Sequence, residues 1–325
     1  IQFSSSFGCN FSPAFNFDID WKEIKNIALN SLPRTLGLSF NNIALIFIIA
    51  FASFLSVGSI SVFNLSFNLQ SVPLIIIGVS YSVAAFPTLV KSFSKDDTST
   101  FKRHLISTSR QIVFWSIPVI FLFIVLRAQI VRVILGSPTF SWENTRLVAA
   151  SLAIFSVSVM AQGMIALLSR AYYAIGNTKQ PLFINLFSSI SIIIFSFLLL
   201  SVFNTSVFFR NFIESLLKVE GIHGTEVLML PLAYSMGIII NFVIHWYYTK
   251  KDFMRNETFI STTFFQSLGA SFFLGLTAYI GLNILAPFFD LNTFWGIFLQ
   301  GFISGVLGIF VYIVVLYLLK NQEIK

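Results

Sequence analysis

Long apolar runs recur along the chain at about residues 36–57, 60–90, 112–135, 147–169, 181–203, 227–248, 262–286 and 294–319, separated by short charged or Gly-, Asn- and Pro-containing breaks. Each is close to or above the roughly 20 residues that carry a helix across a bilayer, so the pattern predicts eight transmembrane helices. Strands of a membrane barrel would alternate over about ten residues, whereas these runs are longer and apolar on every face. The expected fold is therefore all-α, a polytopic transmembrane bundle of eight spans. The second run is long enough to tilt or to kink at Pro73. Pro33, Pro87, Pro118 and Pro181 stand within or at the starts of other runs, where proline bends or breaks a helix. Two connectors are expected to be ordered outside the bilayer. One is a short helix over Phe101–Arg110 with N-caps offered by Ser94 to Ser99; the other is an amphipathic helix over Val207–Val219, lying on the outer surface.

Composition removes the soluble alternatives. Of 325 residues 56% are hydrophobic and 10% charged, with 40 Phe, against about 45–50% and about 25% in an ordinary soluble domain. No single core of this length hides so many bulky side chains, so the solvent must be lipid. The net charge of +7 acquires meaning only by placement. Fifteen Lys and Arg fall in the segments on one side of the expected spans, and Arg127, Arg132, Arg146, Arg210 and Lys218 on the other. Short basic loops stay cytoplasmic, so both ends of this chain are expected on the cytoplasmic side of the membrane. The basic balance is topology, and no nucleic-acid partner is expected.

All thirteen acidic residues lie in loops or at helix ends, so the runs carry no carboxylate at bilayer depth for an ion relay. Asp96 and Asp97 have no third ligand placed with them and read as a solvated helix start. Cys9 is the single cysteine, which excludes an internal disulfide and a multi-cysteine metal site, and no role is assigned to it. The chain opens on Ile1 without a basic and apolar leader, so it is expected to be a fragment whose beginning lies upstream.

The informative residues inside the runs are uncharged and polar. Ser61, Asn64, Asn68, Ser71, Gly78 and Ser82 fall within about 100° of one another on an ideal helix. Arg34, Gly37 and Asn41 share a face of the first run; Ser151, Ser158, Gln162 and Ser169 one of the fourth, with Tyr173 beyond; and Tyr234, Asn241 and His245 one of the sixth. Two readings stand: hydrogen bonding between packed helices, or the wall of a water-filled cavity for a polar substrate. Single serines favour the first and the Asn64, Asn68, Ser71 stripe the second. His245 reads as an interfacial residue near the cytoplasmic end of its span. The last two runs carry Gly269, Ser271 and Gly275, and Gly301, Gly305 and Gly308, the small-residue spacing of closely packed helices.

No P-loop, HExxH, nucleophile elbow or Cys/His cluster occurs, so neither an enzyme nor a cofactor is expected.

Specific strings narrow the class. Leu32–Gly37 (LPRTLG), Ala52–Ser61 (ASFLSVGSIS), Pro73–Ser80 (PLIIIGVS), Ala85–Leu89 (AFPTL) and Arg170–Pro181 (RAYYAIGNTKQP) occur in the order of the second half of the MurJ (MviN-type) lipid II flippases of the MOP exporter superfamily, which the chain resembles over about residues 20–260. The resemblance implies a lead-in at 1–35, a six-helix transmembrane lobe at 36–250, two accessory helices at 251–319 and a cytoplasmic tail at 320–325. It also implies a lipid-linked peptidoglycan precursor as substrate and partner beside membrane lipid, moved from the inner to the outer leaflet for cell-wall synthesis, with a monomer favoured. The substrate-cavity candidates are Arg34, Asn41, Asn64, Asn68, Ser71, Gln162, Arg170 and Asn241. Many members carry Arg where this chain has Asn68, so one expected diphosphate contact is absent. Flippases of other polyprenyl-linked glycans, MATE-like drug exporters and a noncatalytic membrane scaffold remain as alternatives.

Overall fold

The computed structural model describes residues 21–137, 141–253, 259–291, 293–321 and 323, without the side chains of 23, 26–34, 36–38 and 259–261. Cys9 and the side chain of Arg34 therefore lie outside the described residues. What is described is a bundle of α-helices: α1 (Trp21–Ser53), α2 (Ser59–Pro73), a π-helical segment (Leu74–Val79), α3 (Ser80–Ser94), α4 (Thr98–Val125), α5 (Arg127–Leu135), α6 (Trp142–Val157), α7 (Val159–Ala174), α8 (Lys179–Thr205), α9 (Val207–Leu217), α10 (Met229–Phe253), α11 (Phe259–Leu285) and α12 (Phe294–Leu318).

Among the described residues, six helical stretches are long and apolar enough to cross a membrane, and a seventh crossing results if α6 and α7, bent by 41° where they meet, are taken as one. The eighth expected crossing is not established. In α1 the described side chains give an apolar stretch over Ser39–Ser53, and those of residues 36–38, at the start of the expected first run, lie outside the described residues. The third expected run is also redrawn. Asp97 caps the helix by accepting from the Thr100 N–H at 2.9 Å, and this bond chiefly pulls its carboxyl down to about 2. The cap starts α4 at Thr98, so the expected short helix over Phe101–Arg110 is the first part of a span that ends at Val125. The rest of the run becomes α5, which carries Arg127, Gln129 and Arg132; those groups are costly in lipid and suit the surface.

The amphipathic helix expected after the fifth run is α9, capped by Ser206, which accepts from the Phe209 N–H at 3.3 Å. Its far end is tied down by two arginines. Arg127 donates to the Leu217 carbonyl at 3.0 Å and Arg146 to that of Lys218 at 2.9 Å, satisfying carbonyls that a helix C-terminus leaves open.

α10 packs on α8, α7 and α6; α2 on α6; α3 on α4 and α7; and α11 on α12 and α4. Between α2, α6 and α10 sits an aromatic cluster, with Phe155 against Phe63 at 5.3 Å and against Tyr234 at 5.6 Å between ring centroids. Outward faces carry large apolar side chains such as Phe187, Phe197, Phe272 and Phe310, the surface expected where lipid is the solvent.

One close approach fixes the centre. The π segment meets α7 backbone to backbone, because a Cβ on Gly78 would lie 2.4 Å from the Gly163 Cα. Pro73, which has no N–H, immediately precedes that segment, and the loss of one ladder donor loosens the helix where it changes pitch. The expected kink site thus coincides with a π-helical turn.

Candidate functional site

α7 enters the bundle with Gln162, Ala166, Ser169, Arg170 and Tyr173 on one face, a spacing of three and four residues that keeps them aligned. α10 meets it with Tyr234, Ile238 and Asn241 at the same period. Between these two faces, with Asn185 of α8, Asn41 and Asn42 of α1, and Leu74 and Val79 of the π segment, lies a cavity of about 480 Å³. Arg170 is the one charged residue among its described lining residues.

The polar wall is wired in two groups. At the end toward the aromatic cluster, Gln162 Nε2 donates to Gln70 Oε1 at 3.1 Å and to Ser158 Oγ at 3.0 Å, and the Tyr234 hydroxyl donates to Gln162 Oε1 at 3.5 Å. Toward the other end, Asn241 Nδ2 donates to Asn185 Oδ1 at 3.1 Å. That fixes the Asn241 amide so that its Oδ1 accepts from His245 Nδ1 at 2.7 Å. His245 Nε2 stands 3.3 Å from Ser169 Oγ, so the neutral ring donates at Nδ1 and accepts at Nε2. His245 is fully buried behind the wall, a structural place and not the interfacial one its position suggested.

Arg170 is held by its Nη1, which donates to Ser82 Oγ at 2.6 Å and to the Ala166 carbonyl at 3.0 Å. The second bond folds the side chain back one turn along α7 and into the cavity. A planar guanidinium among amides and hydroxyls has the chemistry to bind an anion, since Arg presents forked donors that match carboxylate or phosphate oxygens.

Arg34 has its side chain outside the described residues, and the other seven sequence candidates divide. Asn41, Gln162, Arg170 and Asn241 line one cavity. Asn64, Asn68 and Ser71 stay on α2 and do not line it; Asn68 is exposed and Ser71 bonds the Asn68 carbonyl at 2.7 Å within its own helix. The reason is the π segment. A stripe drawn at a constant 100° per residue assumes one unbroken ladder, and the extra residue of a π turn rotates the downstream positions by about 100°. Gly78 and Ser82 consequently face inward and are buried, while Asn68 and Ser61 face out. Asn185 and Asn42 also line the cavity, although neither was among the candidates. The signal for Asn185 was a lone amide four residues into the apolar run that starts at Pro181.

No group of three or more His, Cys, Asp or Glu able to hold a metal occurs among the described residues.

A family model described as lipid II flippase MurJ matches residues 1–299. A probable lipid II flippase MurJ of Rickettsia prowazekii (strain Madrid E) is 27% identical over 168 residues, covering 52% of this chain and 33% of that protein. A protein of the same description from Thermotoga maritima is 33% identical over 138 residues, 42% and 28% of the two chains. This chain thus spans about a third of the length of the curated relatives it matches. Among solved structures, a lipid II flippase MurJ in an inward closed conformation matches with a TM-score of 0.70 at 21% identity, over 99% of this chain and 60% of that one. An outward-facing MATE family multidrug resistance transporter of the MOP superfamily matches with a TM-score of 0.53 at 12% identity, over 88% and 63%. These two likenesses are of fold.

Proposed function

Because the chain belongs to the lipid II flippase MurJ family, we propose that it forms the second lobe and accessory helix pair of a transporter that moves undecaprenyl-diphosphate-linked peptidoglycan precursor from the inner to the outer leaflet of a bacterial cytoplasmic membrane. The observation that carries this reading is the cavity: among the described residues, Arg170 is the one cation in a wall otherwise made of amides, hydroxyls and apolar groups. A diphosphate needs such a donor out of bulk water, while the glycan can exchange hydrogen bonds with Asn41, Gln162 and Asn241. The prenyl tail needs no protein site at all, because lipid already solvates it. Both ends of the chain are cytoplasmic in this scheme, and transport involves no chemistry on the substrate.

The outward polar face of α2 fits the same reading. Asn64, Asn68 and Ser71 are at least partly exposed in the stretch Ser59–Ser94, which is long and apolar enough to span, and amides facing lipid are unfavourable. In the full transporter they form the wall of a central cavity against the other lobe. Asn64→Cys and Asn68→Cys are expected to react with a membrane-impermeant maleimide from one side of the membrane; thiols unreactive from both sides would make the face a protein–protein contact, as a scaffold would have.

The substrate is tested in cells. The full-length gene is expected to restore growth when a resident lipid II flippase is depleted. No growth at normal membrane abundance would remove the substrate assignment and leave the fold.

A further inference from the structure

Arg170 does not place itself. Its Nη1 meets Ser82 Oγ at 2.6 Å, and Ser82 is fully buried. The Ser82 hydroxyl proton is committed elsewhere, because Oγ donates to the Val79 carbonyl at 2.9 Å. Toward the guanidinium the serine is therefore an oriented acceptor. Val79 is the last residue of the π segment, so that segment's final carbonyl aims the serine that aims the arginine.

The π turn also sets the distance. Ser80 N–H bonds the Ile75 carbonyl five residues back, and Ser80 Oγ bonds the same carbonyl at 2.8 Å, closing the wide turn. The Gly78 and Gly163 backbones touch at this level, which brings the segment against α7. Gly163 and Arg170 are seven residues apart and share a face of α7. With Arg170 folded back to the Ala166 carbonyl, the guanidinium lands one turn beyond the glycine contact, where Ser82 stands. Were residues 74–79 an ordinary α-turn of the same length, Ser82 would point about 100° away.

We propose that Ser82 is the positioning residue for the cavity guanidinium, and that the π segment from Leu74 to Val79 is the element that brings it within reach of Arg170. The assignment rests on the reading of the cavity as a diphosphate site. It makes Ser82 a determinant of substrate affinity although it does not itself line the cavity.

The test uses the whole chain in lipid nanodiscs, titrated with a short-chain polyprenyl diphosphate, beside a 15N-arginine spectrum without ligand. Ser82→Ala is expected to weaken binding about tenfold, the scale of one hydrogen bond to a charged group, and to broaden or move the Arg170 side-chain signal. Ser82→Thr keeps the hydroxyl and is expected to bind within about twofold of the parent. In an Arg170→Gln background, itself at least about tenfold weaker, Ser82→Ala is expected to add nothing. Equal losses in both backgrounds, or an unchanged arginine signal in Ser82→Ala, overturn the positioning role while leaving the diphosphate site intact. Undiminished binding by Arg170→Gln overturns the diphosphate site, and the ligand-free spectrum still reports whether Ser82 orders the guanidinium.

Discussion

Alanine at Gly78 is expected to destabilise the bundle by about 1–3 kcal/mol, the usual cost of forcing atoms into a packed site, and leucine there to prevent folding. In most helices Gly→Ala gains up to about 1 kcal/mol, so the sign is decided by space. At Gly78 the new Cβ would lie 2.4 Å from the Gly163 Cα, a backbone atom that no side-chain rotation moves aside. Gly163→Ala meets the reciprocal obstacle at 2.9 Å from the Gly78 Cα, with Ile112 Cγ2 at 3.2 Å. Gly269 is the control: nothing lies within 4 Å of its would-be Cβ, so Gly269→Ala is expected to be neutral or slightly stabilising. Thermal unfolding in detergent, followed by loss of the monodisperse peak, ranks the three. A Gly78→Ala protein that melts with the parent would mean that the π segment does not touch α7.

Asn241→Leu is expected to have the second largest effect, about 1–3 kcal/mol, because a single truncation removes the amide that links the buried His245 to the half-buried Asn185. His245 Nδ1 loses its 2.7 Å acceptor and keeps only the Asn241 carbonyl at 3.3 Å, and Asn185 Oδ1 loses its 3.1 Å donor. Asn185→Leu is expected to cost less, since the contact of Asn241 with His245 survives it. The double variant should cost less than the sum of the two, because their shared bond is counted twice. Strict additivity in a double-mutant cycle would mean that the two amides do not interact. Polar contacts in membranes average nearer about 0.6 kcal/mol, and a value that low would indicate that water enters and substitutes for the missing amide.

The sequence exposed the cavity where its logic is local. Gln162 and Ser169, or Tyr234 and Asn241, stand out because polar residues seven apart on an apolar helix mark a face that lipid does not want. The α9 helix was legible for the same reason, and Pro73 marked the place of an irregularity but not its form. What escaped depended on the ladder or on distant partners. The stripe from Ser61 to Ser82 looked continuous because nothing in LIIIGV announces a π turn, and the turn sends its two halves to different faces. The pairing of Gln70 with Gln162, or of Ser82 with Arg170, joins residues 92 and 88 positions apart, set by helix packing and not by local composition. The third run broke at Leu126 because Arg127, Gln129 and Arg132 were weighed as flanking charges although they form a separate surface helix. Hydropathy likewise does not register the 41° bend where α6 meets α7, on which counting the fourth expected run as one crossing depends.

Everything functional proposed for this chain depends on one movement, that of a lipid-linked diphosphate across the bilayer past the Arg170 cavity. Its most direct measurement is the lipid II pool in the outer leaflet of cells depleted of their own flippase, read by an enzyme that cleaves only outward-facing headgroups. The full-length protein is expected to restore that pool and Arg170→Gln, at equal membrane abundance, to leave most of the lipid II inside. An outer pool that stays empty with the parent protein, or one that Arg170→Gln fills equally well, would contradict that movement.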